Sequence, residues 1–154
     1  KEVDWRPIVG DRPFIQDNQS LSAEAGTVRG LHYQMPPFAQ AKLVQALRGR
    51  ILDVAVDLRR DSPTFGRHVA LELAAADGRQ IFVPAGFAHG FMTLEPGSMV
   101  GYKVTAPYEP ASERGIAWDD PELAIAWPAE LRASAVLSAR DRQWPRLRDA
   151  IDLL

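Results

Sequence analysis

The alternation within residues 52–58 constrains the fold of this chain more than any other feature. Leu52, Val54, Val56 and Leu58 fall on one face of an extended segment while Asp53 and Asp57 share the other, the period-two pattern of a β-strand. Ahead of it stand Leu43-Val44-Gln45-Ala46-Leu47 and the break Arg48-Gly49-Arg50, so the stretch reads as two strands around a glycine turn. Val69, Leu71 and Leu73 alternate with Ala70 and Glu72, and Asp77-Gly78 supplies a turn before Ile81-Phe82-Val83, a second hairpin. Pro96-Gly97 separates strands at 91–94 and 99–104. Short strands with such closely spaced turns predict an all-β chain, an antiparallel sandwich or barrel. After Pro145 the period changes. Leu147, Ile151 and Leu154 lie at helical spacing, which predicts one short C-terminal amphipathic helix covering the barrel.

The 154 residues suit one such unit and are too few for two. No internal repeat or Gly/Ser-rich linker divides them, so 1–154 is expected to be a single domain. A net charge of -2 creates no field that would gather nucleic acid or an acidic membrane surface. An anionic ligand must therefore be held locally. No apolar run approaches the roughly 20 residues of a membrane span, and Lys1-Glu2-Val3-Asp4-Trp5 lacks a signal-peptide core. No membrane partner is expected. The absence of cysteine excludes disulfides, thiolate metal sites and a cysteine nucleophile, and it suits the cytoplasm.

Three histidines, at 32, 68 and 89, restrict the chemistry further. Jelly-roll barrels that hold a metal often do so through a His-x-His pair, and none occurs here. His32 and His89 can meet across a barrel, but a metal would still need carboxylates such as Asp53, so no metal is expected. His32 lies in Arg29-Gly30-Leu31-His32-Tyr33-Gln34, after a glycine that lets backbone approach a ligand. Its imidazole suits acid–base work near neutral pH, and the adjacent Arg29 suits phosphate oxygens. His89 lies in a loop entering a strand, where it reads equally well as a core histidine. His68 reads as an exposed or edge-strand residue. Tyr102 must point where Val100 and Val104 point, ordinarily into the core. Trp5, Trp118, Trp127 and Trp144 read as core or lid residues.

Taken in order, several segments resemble the dTDP-4-dehydrorhamnose 3,5-epimerase family. They include Phe14-Ile15-Gln16-Asp17-Asn18, Arg29 to Gln34, Lys42-Leu43-Val44, Asp53 to Arg59, Ser62-Pro63-Thr64-Phe65-Gly66, and Pro84 to Phe91. Further matches are Tyr102-Lys103, Glu113, Trp118-Asp119-Asp120-Pro121, Trp127-Pro128 and Leu137-Ser138-Ala139-Arg140-Asp141. The resemblance implies a homodimeric, cupin-like jelly roll that needs no cofactor and acts on a dTDP-4-keto-6-deoxyhexose. It implies His32 as catalytic base, Asp141 as its carboxylate partner and Tyr102 as the acid on the other face of the sugar. Lys42 and His89 match residues lining the sugar site, and Gln16, Asp17, Asn18, Arg29, Glu113 and Arg140 match nucleotide-contacting positions. Ala41, His68 and Asp119 depart from the usual pattern without touching that catalytic set. The family's amino-terminal segment, which reaches into the neighbouring subunit's site, is expected to precede the first residue here.

A hydrogen beside a ketone is only weakly acidic, so such an enzyme needs a base and a group that stabilises the enolate oxygen. His32 with Asp141 supplies the first, and Lys42 or His89 the second. Inversion also needs a proton from the opposite face, for which Tyr102 is the candidate. Whether C3 and C5 are both inverted stays open at this level. A single-position epimerase and a non-catalytic jelly-roll sugar-binding module are the alternatives.

Overall fold

The computed structural model describes residues 2–10 and 12–154. A short helix, α1 (Glu2–Val9), precedes nine strands: β1 Gln16–Ser22, β2 Val28–Gln34, β3 Lys42–Arg48, β4 Arg50–Asp57, β5 His68–Ala74, β6 Gln80–Val83, β7 Phe87–Thr93, β8 Ser98–Val104 and β9 Glu113–Gly115. They form two sheets of order β1-β8-β3-β6 and β5-β4-β7-β2-β9. Every pairing of these strands is antiparallel, and the order has a simple origin. β1 pairs with β8, β2 with β7, β3 with β6 and β4 with β5, so the first half of the chain lies against the second as one long ribbon. Wrapping that ribbon sets β3 beside β8 and β4 beside β7, which makes a jelly roll.

The glycine turns do something different from what local sequence predicts. Gly49 joins β3 to β4, which lie in opposite sheets, and Asp77-Gly78 and Pro96-Gly97 likewise join strands of opposite sheets. The expected hairpins at these turns are therefore corners. Turn residues say where a strand ends, whereas the sheet that the next strand joins is decided by partners far along the chain.

Two apolar clusters follow from this arrangement. Val44, Ala46, Ile51, Leu73, Phe91 and Val100 pack between the sheets. On the outside of the five-stranded sheet, Val28, Leu31, Val54, Val56, Leu58 and Met92 are covered by Ile116, Leu123, Ile125, Trp127 and Leu147 from the C-terminal segment. The five-stranded sheet is thus buried on both faces, which is why Asp53 and Asp57, on its inner face, are buried too. Asp57 receives Arg59, Ser62 and Thr64 side chains, and the Arg59 guanidinium above all holds its carboxyl well below the usual range.

The helix expected after Pro145 is a single 3-10 turn at Leu147–Asp149. Leu147, Leu153 and Leu154 still pack on the outer cluster, but Ile151 is 87% exposed, so an extended tail does the covering in place of one helical face. The regular helix of this region is the one-turn α2 (Ala129–Arg132). Trp127 is buried and Trp118 packs beside it; the Trp5 side chain lies outside the described residues. No helix among the described residues is long and apolar enough to cross a membrane.

Candidate active site

Part of the space between the sheets is left unfilled by side chains, forming a cavity of about 480 Å³. Strand alternation decides what enters it. On β1, Gln16 and Asn18 face inward, linked by a 2.7 Å hydrogen bond from Gln16 Nε2 to Asn18 Oδ1. Asp17 between them faces outward, where Lys103 Nζ donates to its carboxylate at 2.6 Å. Asp17 is the one expected site residue that the structure places outside the cavity, because contiguous residues of a strand cannot share a face.

Arg29 and His32 are three residues apart, a spacing that a regular strand would send to opposite faces. In the pairing with β7, Arg29 stands against Phe91 and His32 against His89, so three steps on β2 match two on β7. This is a β-bulge. Gly30 sits in it at φ +113°, and a Cβ there would lie 2.6 Å from Gly90 Cα. A Cβ on Gly90 would in turn lie 2.6 Å from the Arg29 carbonyl oxygen. Two glycines in contact thus permit the bulge that sets Arg29 and His32 on the same wall. Arg29 Nε is buried with no hydrogen-bond partner, a donor suited to a bound anion.

His32 Nε2 meets Asp141 Oδ1 at 2.5 Å, with the imidazole 20% exposed and the carboxylate 3%. Asp141 lies in the loop after α2. Ser138 Oγ donates to Asp141 Oδ2 at 2.8 Å and accepts from the Asp141 N–H at 3.0 Å, while Trp144 Nε1 donates to Oδ1 at 3.3 Å. Burial is the strongest influence on this carboxyl and pushes its pKa up. The hydrogen bond and charge of His32, with the bonds from Ser138 and Trp144, outweigh it and hold Asp141 below the ordinary carboxylate value. A carboxylate on Nε2 selects the tautomer with the proton there, leaving Nδ1 as the basic nitrogen.

Lys42 opens β3 in the facing sheet, and its buried Nζ reaches across to the His32 carbonyl oxygen at 3.4 Å. Burial draws its pKa down from 10.5 to about 8, with the carboxylates of Asp53 and Glu113 pulling upward. His89, beside His32 in the ladder, pairs through Nε2 with Asp53 Oδ2 at 2.9 Å. Among the described residues, no three His, Asp or Glu side chains are placed to hold a metal ion. Tyr102 points inward with Val100 and Val104, packing on the inter-sheet cluster while lining the cavity. Burial raises its pKa against the opposing charge of Arg29, so the phenol keeps its proton at neutral pH.

At the cavity rim, Glu113 Oε2 accepts from Arg140 Nη1 at 2.5 Å and from Tyr108 OH at 2.9 Å. The structure therefore brings His32, Tyr102, Asp141, Gln16, Asn18, Arg29, Lys42, His89, Glu113 and Arg140 to one cavity. His68 begins edge strand β5, away from it. Sequence reasoning did not single out Asp53 as the partner of His89, nor Tyr108, Ser138 or Trp144. Ser138 carried a signal, since a serine three residues before an aspartate is spaced for this local bonding. Nothing in the sequence marks Tyr108, and Trp144 reads there only as a core or lid residue.

Residues 3–149 match the family model described as dTDP-4-dehydrorhamnose 3,5-epimerase. A Sinorhizobium fredii protein named dTDP-4-dehydrorhamnose 3,5-epimerase is 52% identical over 147 residues, covering 96% of this chain and 74% of its own length. The crystal structure of a Legionella pneumophila dTDP-6-deoxy-D-glucose-3,5-epimerase, in complex with dTDP-4-keto-L-rhamnose, superposes with a TM-score of 0.91 at 42% identity, over 99% of this chain and 79% of that one. A 3'-monoepimerase from Streptomyces bikiniensis, in complex with dTDP-quinovose, superposes with a TM-score of 0.87 at 35% identity, over 96% of this chain and 73% of that one.

Proposed function

The chain belongs to the dTDP-4-dehydrorhamnose 3,5-epimerase family, and from that premise we propose how its residues invert a sugar. The enzyme is an isomerase that inverts C3 and C5 of dTDP-4-keto-6-deoxyglucose, giving dTDP-4-keto-L-rhamnose for dTDP-L-rhamnose biosynthesis. The observation that carries the residue assignment is a base and an acid on facing walls of one cavity: His32 on β2, backed by Asp141 from the loop after α2, and the protonated Tyr102 on β8. His32 Nδ1 takes the proton from C5 or C3, and the electron pair moves onto the C4 oxygen as an enolate. Lys42 and His89 hold that oxygen. The Tyr102 hydroxyl then delivers a proton to the same carbon from the opposite face, and exchange with water restores both groups. Arg29, with its free buried donor, and Arg140 suit the pyrophosphate, while Gln16, Asn18 and Glu113 meet the rest of the nucleotide.

Incubation of dTDP-4-keto-6-deoxyglucose with the enzyme in deuterated water, followed by NMR of the sugar protons, tests this reading. Deuterium is expected at both C3 and C5. Exchange at one carbon only identifies a single-position epimerase, the reading that the likeness to the Streptomyces bikiniensis monoepimerase favours. Nucleotide binding without exchange identifies a sugar-binding module.

Because a buried ammonium stabilises the enolate, no metal is required, and exhaustive chelation is expected to leave turnover intact. Loss of activity restored by one divalent metal would overturn that. The pKa of about 8 at Lys42 sets a pH limit: the ammonium is present below it and lost above it. The kcat/KM profile of the free enzyme is therefore expected to descend with a midpoint near pH 8, and Lys42→Met to abolish that limb while lowering the rate by about 10²-fold. Stability moves the other way. The folded chain releases this proton near pH 8 and the unfolded chain only near the ordinary lysine value, so this group's contribution to stability rises between the two. A loss of activity above pH 8 with an undiminished melting temperature separates titration from unfolding.

The enzyme is further proposed to work as a cytoplasmic homodimer. Leu21 on β1 and Leu47 on β3 lie exposed on the outside of the four-stranded sheet, a face that a second copy would cover. Light scattering on the purified chain, with a monomer as the contrary result, checks this.

A further inference from the structure

Behind the His32–Asp141 pair stands a side chain that the proposed reaction does not use. The Trp144 indole packs T-shaped on the His32 ring, with centroids 5.8 Å apart and planes at 72°. Its Nε1 donates to Asp141 Oδ1, the same oxygen that His32 Nε2 engages, while Ser138 holds Oδ2. Space for the indole is provided by Gly115, the ladder partner of His32 on β9, where a Cβ would fall 2.4 Å from Trp144 Cδ2. The next residue is pinned as well, since the Pro145 carbonyl accepts from Ala117 N–H at 2.8 Å. Trp144 does not line the substrate cavity. It lines a second cavity of about 370 Å³ on the far side of the pair, together with Asp141, Trp118, Arg142 and Leu137.

We propose that Trp144 is a positioning residue: it fixes the carboxylate of Asp141 and the ring of His32 in their working orientation, and it stands between the His32 ring and the rear cavity that Asp141 lines. The inference rests on the reading of His32 as the base. An indole N–H only donates and carries no charge, so it orients the carboxylate without competing for the proton that His32 moves. Its ring also covers the side of the His32 imidazole turned toward the rear cavity and keeps the water of that cavity from it. Lys42 on β3, His89 on β7, Glu113 on β9 and Arg140 beside Asp141 also face the pair, and a substitution at 144 leaves all of them in place.

Trp144→Phe keeps an aromatic wall and removes the donor. Its kcat is expected to fall about tenfold with KM within about twofold, as for loss of a supporting hydrogen bond outside the substrate cavity. The ascending limb of its kcat–pH profile is expected to move to higher pH, because Trp144 is one of the donors that hold the Asp141 carboxyl below its ordinary value and its loss makes that carboxylate more basic. Trp144→Ala joins the two cavities and is expected to lower kcat further, by about 10²-fold. If that variant fails to fold, the phenylalanine variant decides. A normal kcat, or a lowered kcat with an unmoved limb, overturns the proposal, the second by leaving Trp144 a packing role alone. His32→Ala, assayed beside them, separates the two layers. Inactive His32→Ala with normal Trp144→Phe defeats only the positioning role, whereas active His32→Ala defeats the base assignment beneath it.

Discussion

Replacement of His32 by alanine is expected to lower turnover by about 10²- to 10⁴-fold, the range of a general base, and to stop deuterium wash-in from solvent. The cavity offers no ready substitute. Lys42 is charged below about pH 8 and so is not a base at neutrality, and His89 sits deeper, with its Nε2 tied to Asp53. The His32 ring, by contrast, lines the cavity with its Nε2 engaged by Asp141, which leaves Nδ1 as the basic nitrogen. Asp141→Asn should act on the same step without removing the base. An asparagine amide can donate to Nε2 and so favour the tautomer with the proton on Nδ1, which cannot abstract. Its rate should fall while nucleotide affinity stays nearly unchanged, as for a group acting in the transition state. Persisting exchange in His32→Ala would move the base elsewhere, with Lys42 above pH 8 the first to test.

The sequence made the strands of the central region legible because their apolar faces are continuous, as at Leu52, Val54 and Val56. It did not reveal β1 as a strand. Gln16-Asp17-Asn18-Gln19-Ser20 alternates between half-buried and exposed positions, and both faces are polar, so hydrophobicity carries no period there. β2 was hidden for the opposite reason. Val28 to Gln34 is buried on both faces and broken by the bulge at Gly30, which erases alternation. The partition of strands between sheets was also out of reach, since β3 and β4 look like a hairpin until β8 and β7 claim them.

The same physics sorts the site. Resemblance supplied a contiguous Gln16-Asp17-Asn18, and a strand can use only the first and third of these on one wall. The alternation that put Asp53 opposite Leu52 and Val54 was visible, but a carboxylate on a buried face needs a named partner, and His89 lies 36 residues away. Long-range pairings of this kind are fixed by the register of β4 against β7. Trp144 is the extreme case: its place depends on a glycine at 115, on His32 and on the end of a loop, and no spacing rule joins the three.

Tyr102→Phe is expected to separate proton removal from inversion. The substitution keeps the ring that packs on the inter-sheet cluster and deletes only the hydroxyl, so a defect reports lost chemistry and not a cavity. Burial keeps the wild-type phenol protonated, and β8 holds it on the wall facing β2, so it can give a proton to the sugar face that His32 cannot reach. With His32 intact, the variant should still form the enolate and return a proton from the face it left. The expected product is substrate carrying deuterium with its configuration retained, and epimer formation reduced by about 10²-fold or more. NMR resolves the two, because exchange appears as loss of the proton signal and inversion as new couplings around the ring. Exchange that falls together with inversion would mean that the hydroxyl also helps to form the enolate. Inversion at the normal rate would give the second proton to another group or to an ordered water, and the opposition of β2 and β8 would then serve binding alone.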